Sequence, residues 1–240
     1  HGDKDAPAVC YYYSPDRKGA RPKAHLENYQ GVLHADAYAG YDRLYPNKDN
    51  PNSTISEAAC WAHTRRKFYE VTVANNNAII ATTVLEQMSD IYKIEADIKG
   101  FDPAERLKER QLKSKILVEE FFKNIEEALS KLPQKGSTAK AIRYALNNKE
   151  ALMRFLEDGK IEIDNNAAER AMRSVALGRK NWMFAGSDNG GNTAATFYTI
   201  IETAKLNNVN PWLYLSKVLS IIQDYNSNKL ADLLPWNLKL

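Results

Sequence analysis

The stretch richest in reactive side chains runs from Ile161 to Gly191, IEIDNNAAERAMRSVALGRKNWMFAGSDNGG. Asp164 stands where a helix N-cap would, and the pattern predicts a helix from there to about Val175. Asn165, Glu169 and Arg173 recur at i, i+4 and i+8, which puts them on one face, with Ala168, Met172 and Val175 as an apolar face opposite. Glu169 then projects away from the core beside asparagine amides and the guanidinium groups of Arg170 and Arg173. Two chemistries suit that arrangement. One is an exposed helix with i,i+4 ion pairs, worth about a few tenths of a kcal/mol. The other is a carboxylate held for a metal ion, with arginines placed for phosphates.

A second acid follows a short apolar strand. Gly31 to Asp36, GVLHAD, reads as a strand with Val32 and Leu33 suited to burial. An aspartate at its end is either presented at the open end of a sheet or caps the next turn. Paired with Glu169, Asp36 would complete a two-metal phosphoryl-transfer site. Magnesium takes hard oxygen ligands and keeps positions open for water and phosphate. Two such ions roughly 3.5–4 Å apart activate a nucleophile and stabilise a leaving oxygen. Without cations, crowded carboxylates would raise one another's pKa.

Two further clusters carry several readings. Cys60-Trp61-Ala62-His63 is half of a zinc site, and a structural zinc site wants four ligands. Cys10, His1, His25 and His34 supply no second pair, so a buried Cys60 and a packed Trp61 are favoured. The adjoining Arg65, Arg66 and Lys67 are either backbone-phosphate contacts or the solvated start of a helix. Arg179 and Lys180 lead through Trp182 and Phe184 to Gly186-Ser187 and Gly190-Gly191. These glycines lack the spacing of a phosphate-binding fingerprint. Basic residues interleaved with aromatics suit contact with a nucleic-acid backbone and bases; core packing of the two aromatics suits them equally.

The elements that would position these groups can be read along the chain. Ala8 to Tyr13, AVCYYY, predicts a strand ending at Ser14-Pro15-Asp16. Gly31–Asp36 is the second strand and Glu57–Ala62 the third, running into a helix over 63–73, and 37–45 can begin a short helix. From about Asn76 the period becomes helical, with Leu85, Met88, Ile91, Ile94 and Ile98 on one stripe. Asp102 as N-cap and Pro103 in the first turn open a second long helix, with Val118, Phe122, Ile125 and Leu129 inward. Its other faces mix Lys and Glu and read as solvated. Two short helices over 137–147 and 150–157 follow, closed by Gly159. Asn192-Thr193 can cap a helix carrying Ala194, Phe197, Ile201 and Ala204. Asn210-Pro211 starts another, with Trp212, Leu215, Leu219 and Ile222 expected inward. The layout predicts an α/β core over 1–75, a helical insertion over 76–160, and a return to the core over 161–240.

Composition sets the outer bounds. At 240 residues, with 44% apolar and 26% charged side chains, the chain has ordinary globular usage and length for a sizeable core. No apolar run is long enough for a transmembrane helix. Two cysteines are too few for a disulfide scaffold and suit a reducing compartment. A net charge of +3 is too even to prove a polyanionic partner, so any basic site must be local. The chain starts at His1, and its first residues carry no targeting pattern. A fragment or processed piece, in the cytoplasm, is the expectation.

GVLHADAYAGYDRLY, AACWAHTRRKFYE, IDNNAAERAMRSVALGRKNWMFAGSDNGG and the closing LLPWN together resemble the transposase of the insertion-sequence-66 family, in order along essentially the whole chain. The resemblance implies a bacterial mobile-element protein, a DDE recombinase with a ribonuclease-H-like mixed sheet, a helical insertion and C-terminal helices. Three acidic residues would hold Mg2+, or Mn2+. By motif position the second acid is Asp36 and the third is Glu169. The family's first aspartate belongs upstream of YYYSPDRKG, and Asp3, Asp5 and Asp16 do not stand in its context. The expectation is therefore two of three metal ligands, and a chain inactive by itself. For the complete enzyme the resemblance implies DNA strand cleavage and strand transfer at element ends, by positioning and charge stabilisation. DNA is the implied partner and a homo-oligomer is allowed. Arg65, Arg66, Lys67, Arg170, Arg173, Arg179 and Lys180 would contact phosphates. Two other readings compete: a non-catalytic DNA-binding remnant, and a helical protein-interaction module built on the long hairpin.

Overall fold

The computed structural model describes residues 6–35, 39–46, 50–75, 78–181 and 183–239. The fold is α/β in kind and mostly helical, with two compact units. The first is built mainly from Lys18–Asn166 and the second from Lys4–Arg17 with Ala167–Leu240.

The first unit opens with α1 (Ala20–His25) and holds one sheet, made of β1 (Gly31–Ala35) and β2 (Ile55–Ala59). The strands pair in parallel, Gly31 opposite Ile55 through Ala35 opposite Ala59. The strand expected over Glu57–Ala62 thus begins two residues and ends three residues earlier, because the backbone from Trp61 onward is already helical. Among the described residues the sheet has these two strands only. A small cluster of Leu44, Tyr45 and Ile55 lies beside β2, while Ala58 and Ala59 join the main core.

That core is helical. On α2 (Trp61–Ala74), Trp61, Thr64, Phe68 and Val71 are buried at i, i+3, i+7 and i+10, the spacing of one helix face. On α3 (Ile79–Asp97) the buried stripe is Ala81, Val84, Met88 and Ile91, with Leu85 and Ile94 at its edge. The Trp61 ring lies 5.2 Å from that of Phe121, 6.2 Å from Phe122 and 6.1 Å from Phe155. Its indole N–H is satisfied by the Leu152 carbonyl at 2.8 Å.

The second long helix begins as expected. Asp102 accepts from the backbone N–H of Ala104 and Glu105 at 2.9 and 3.0 Å, and Pro103 fills the first turn of α4 (Pro103–Glu109). It is not one regular rod, because a π-turn over Arg110–Ser114 precedes α5 (Lys115–Ser130). Arg106, Arg110 and Ser114 face inward, against the expectation of a solvated Lys/Glu surface. α6 (Ser137–Asn147) and α7 (Lys149–Met153) complete this unit. Gly159 packs on the Pro103 carbonyl so closely that a Cβ would lie 1.8 Å from the oxygen.

In the second unit Ala8–Tyr13 is extended but not a strand. Its polar groups meet hydroxyls on a helix. Val9 N–H donates to Thr203 Oγ1 at 3.2 Å, Thr203 donates back to the Val9 carbonyl at 3.1 Å, and Tyr11 N–H donates to Thr199 at 2.9 Å. Two extended residues advance about 6.6 Å and four helical ones about 6 Å, so the two periods match. The helices here are α8 (Asn166–Gly178), α9 (Asp188–Leu206) and α10 (Pro211–Ile221). α9 begins before the expected Asn192. Ser187 is its N-cap, accepting from Gly190 N–H at 3.1 Å, and the glycine pair lies in its first turn. Gly191 meets the Tyr13 ring, where a Cβ would come within 2.4 Å. α9 ends on Asn208 at φ 58°, with Val209 N–H returning to the Ala204 carbonyl at 2.9 Å.

Asn210 caps α10 as expected, accepting from Trp212 and Leu213 N–H. The inward face is a correction. Trp212, Leu219 and Ile222 are exposed, and Tyr214 is buried instead, its hydroxyl bonded to the Leu233 carbonyl at 2.8 Å. Among the described residues no helix is long and apolar enough to cross a membrane.

Candidate functional site

In the first unit the carboxyl ends of β1 and β2 gather His34, Cys60 and the segment that leads to α8. Trp61 N–H bonds the Ile163 carbonyl at 3.2 Å, and Asn165 N–H bonds Cys60 Sγ at 3.2 Å. Burial pushes the Cys60 thiol pKa up, against the lowering effect of the N–H groups of Asn165, His63 and Ala62. Cys60 is buried, as the sequence suggested, and a neutral buried thiol is a poor nucleophile. Burial lowers the His34 pKa, opposed by its bond to the Ala59 backbone and by the charges of Asp164 and Glu162. Asp164 serves two partners: Oδ1 accepts from Asn166 N–H at 3.1 Å and Oδ2 from the Tyr92 hydroxyl at 3.4 Å. Burial, then the Asp164 charge, raises the Tyr92 pKa. Asp164 thus bonds the Asn166 N–H and is itself held by a tyrosine of α3.

A second support was invisible in the sequence. The Arg110 guanidinium is fully buried and forms two bonds to Glu95, at 2.8 and 2.7 Å. Its Nη1 also donates to the carbonyls of Phe155, Asp158 and Ile161 at 2.9, 3.1 and 2.8 Å. Arg106 clasps Glu162 through two parallel bonds at 2.9 and 3.0 Å. These arginines tie the helical hairpin to the turn that precedes Asp164. The geometry is the planar fork that arginine, and not lysine, supplies. The one available hint was that the buried positions are Arg in helices otherwise rich in Lys.

Each expected site residue can now be placed. Asp36 and Trp182 lie outside the described residues. Arg65, Arg66 and Lys67 are exposed on α2, with Lys67 Nζ 5.7 Å from the centre of the Tyr144 ring. In the second unit Glu169 is half-buried in the first turns of α8, Arg170 and Arg173 are exposed on the same helix, and Arg179 and Lys180 are exposed in the turn after it. That unit thus gathers one carboxylate and four cations within twelve residues of chain. The expected apolar face of α8 needs correction, because Ala168 and Met172 are exposed. The covered positions are Ala171, Ser174, Val175 and Gly178, small enough for close approach; the Tyr11 hydroxyl bonds the Ala171 carbonyl at 2.6 Å.

Also within the second unit, Tyr11, Tyr12 and Tyr13 line a pocket of about 430 Å³ together with Met172, Arg179 and Phe184. The sequence marked Arg179 as a phosphate contact and left Phe184 open between base contact and core packing. It read the tyrosines only as strand formers.

Comparison with known proteins agrees with the motifs. Residues 1–193 match the family model described as "Transposase IS66 family", and residues 199–236 match "IS66 C-terminal element". Among similar proteins, the Sinorhizobium fredii "Uncharacterized protein y4qI" is 40% identical over 242 residues, covering 100% of this chain and 45% of the relative. "Uncharacterized protein y4hP" of the same organism is 38% identical over 251 residues, covering 99% of this chain and 45% of the relative. The chain thus spans slightly less than half the length of these curated relatives. No solved structure matches it.

Proposed function

Because this chain belongs to the IS66 transposase family, we propose that it carries part of a DDE catalytic domain acting in DNA strand cleavage and strand transfer at transposable-element ends. The observation that carries the reading is the composition of α8 and its following turn: half-buried Glu169 among exposed Arg170, Arg173, Arg179 and Lys180. Among the described residues no carboxylate forms an ion pair with any of those four cations. Unpaired guanidinium groups beside a carboxylate suit a phosphodiester better than they suit a purely structural surface.

Asp36 and Glu169 would hold Mg2+ or Mn2+, and carboxylate oxygens are the hard donors these ions take. When bound, such ions polarise the phosphoryl oxygens and lower the pKa of an attacking water. The chain's own cations do the positioning. Arg170 and Arg173 hold phosphate oxygens by paired N–H donors, Lys180 contributes a point charge, and Arg65, Arg66 and Lys67 hold a duplex backbone. Asp36 directly follows the carboxyl end of β1, where parallel sheets present catalytic acids, which supports a ribonuclease-H-like core. In this reading 1–75 and 161–240 belong to that core and 76–160 is its insertion. Two of the family's three acids are assigned in this reading, Asp36 and Glu169.

The test is DNA affinity against salt. Changing Arg173→Ala and Lys180→Ala together should weaken binding to duplexes of any sequence and lower the slope of log K against log salt by about 2. Glu169→Gln should abolish magnesium binding measured by calorimetry. Undiminished DNA affinity in the double variant at low salt would sink the assignment.

A further inference from the structure

We infer, on the premise that this chain binds DNA, that the tyrosine-lined pocket of the second unit receives an unpaired nucleobase of a DNA strand. Its volume, about 430 Å³, falls in the range of about 300–1,000 Å³ of pockets that take small ligands. Two of its aromatic walls are held in place. The Tyr11 hydroxyl is bonded to the Ala171 carbonyl at 2.6 Å, and the Tyr13 hydroxyl to Asp188 Oδ1 at 3.0 Å. The Tyr13 ring is also seated against Gly191, which leaves no room for a side chain there. Rings already fixed lose little freedom when a ligand stacks on them.

Much of the rest of the lining is apolar, and part of it is open. Phe184 is 84% exposed, Met183 73% and Tyr12 66%. Apolar side chains concentrated like this on a surface mark a binding site. The charge around them says for what. Arg179 lies in the lining itself, and Lys180 and Arg173 are exposed nearby in the chain. A neutral peptide or lipid chain would fill the pocket but leave the guanidinium without a counter-charge. A nucleotide satisfies both: its base stacks on tyrosine or phenylalanine, and its phosphate pairs with Arg179. A base inside a duplex presents only its edges, so the occupant must be out of the stack.

The experiment compares two DNA molecules of equal charge, one fully paired and one with a single unpaired 2-aminopurine, by anisotropy and by 2-aminopurine fluorescence. The unmodified chain should favour the unpaired base by about tenfold, with quenching of the probe as it stacks. The preference and the quenching should both disappear in Phe184→Ala and in Tyr12→Ala, each an exposed site that folding tolerates, and when the unpaired base is replaced by an abasic site. Equal binding of both DNA molecules without quenching would overturn the pocket inference and leave the DNA reading standing. Binding of neither at low salt would overturn the DNA reading and the inference with it. If Phe184→Ala dissociates a dimer while the tenfold preference persists, the pocket is a protein interface and the inference is overturned.

Discussion

The two units use their large side chains in opposite ways. In the first, Trp61, Phe68, Phe121, Phe122 and Phe155 are buried essentially completely, in a continuous cluster with Met88, Ile91, Ile125 and Ile142. In the second, Phe184, Phe197, Trp212, Leu219 and Trp236 are exposed, and the buried set among the described residues is small: Gly178, Gly191, Thr203, Ala204, Tyr214, Leu233 and Pro235. The first unit holds itself together by apolar packing around the buried Arg106, Arg110 and Glu95 ion network. The second is held by hydroxyls, of Tyr11, Thr199, Thr203 and Tyr214, reaching backbone groups. Burial of apolar area is worth about 25 cal/mol per Å², so a unit that leaves its aromatics outside keeps that area for binding.

This contrast can be broken by substitution. The largest effect is expected from Arg110→Ala, which would leave buried Glu95 with only the longer Arg106 contact at 3.7 Å and three carbonyls without their donor. A loss of about 3–5 kcal/mol, read by denaturant unfolding, is the expected outcome; an effect below about 1 kcal/mol would mean that water replaces the guanidinium. Phe121→Ala should cost a similar amount, about 3–5 kcal/mol, through the cavity beside Trp61. Its counterpart in the second unit, Trp212→Ala, should stay within about 0.5 kcal/mol of the parent. Equal losses from the two would erase the distinction between units. Gly159→Ala comes next, at about 1–3 kcal/mol, because the Pro103 carbonyl is backbone and cannot swing aside.

The smallest effect concerns pH. Burial holds the His34 pKa below its ordinary 6.5, so as pH falls below that value the unfolded chain takes up a proton before the folded one does. Stability conferred by neutral His34 is therefore complete above 6.5 and declines as pH falls toward the folded value. His34→Gln should flatten thermal melts recorded from about pH 8 to about pH 5. An identical pH slope in that variant would assign the acid sensitivity to other groups.

Much of the layout was legible because it is local. Asp102-Pro103 and Asn210-Pro211 read as helix starts, since a cap and its N–H partners lie within three residues. The strand before Asp36 was legible from its short apolar run. The inward face of α10 was not, because PWLYLSKVLSI is apolar nearly all round and a 3.6 period then selects no face. The extended tyrosine segment was mistaken for a strand, since strand and strand-like backbone share composition and differ only in what they bond. Of the proposed site, the charge pattern around Glu169 could be read directly; the pocket beside it needed residues 11–13 brought to α8 and α9.

The chain by itself specified the Asp102 and Asn210 caps, the helical stripe of α3, and its family, each of which depends on residue types a few positions apart or on motif order. Tertiary structure alone decided that Arg106 and Arg110 are interior, that Met172 and Trp212 are not, and that three tyrosines line a pocket. Burial is a property of two surfaces meeting, and the second surface comes from residues far along the chain whose identity a local pattern does not contain.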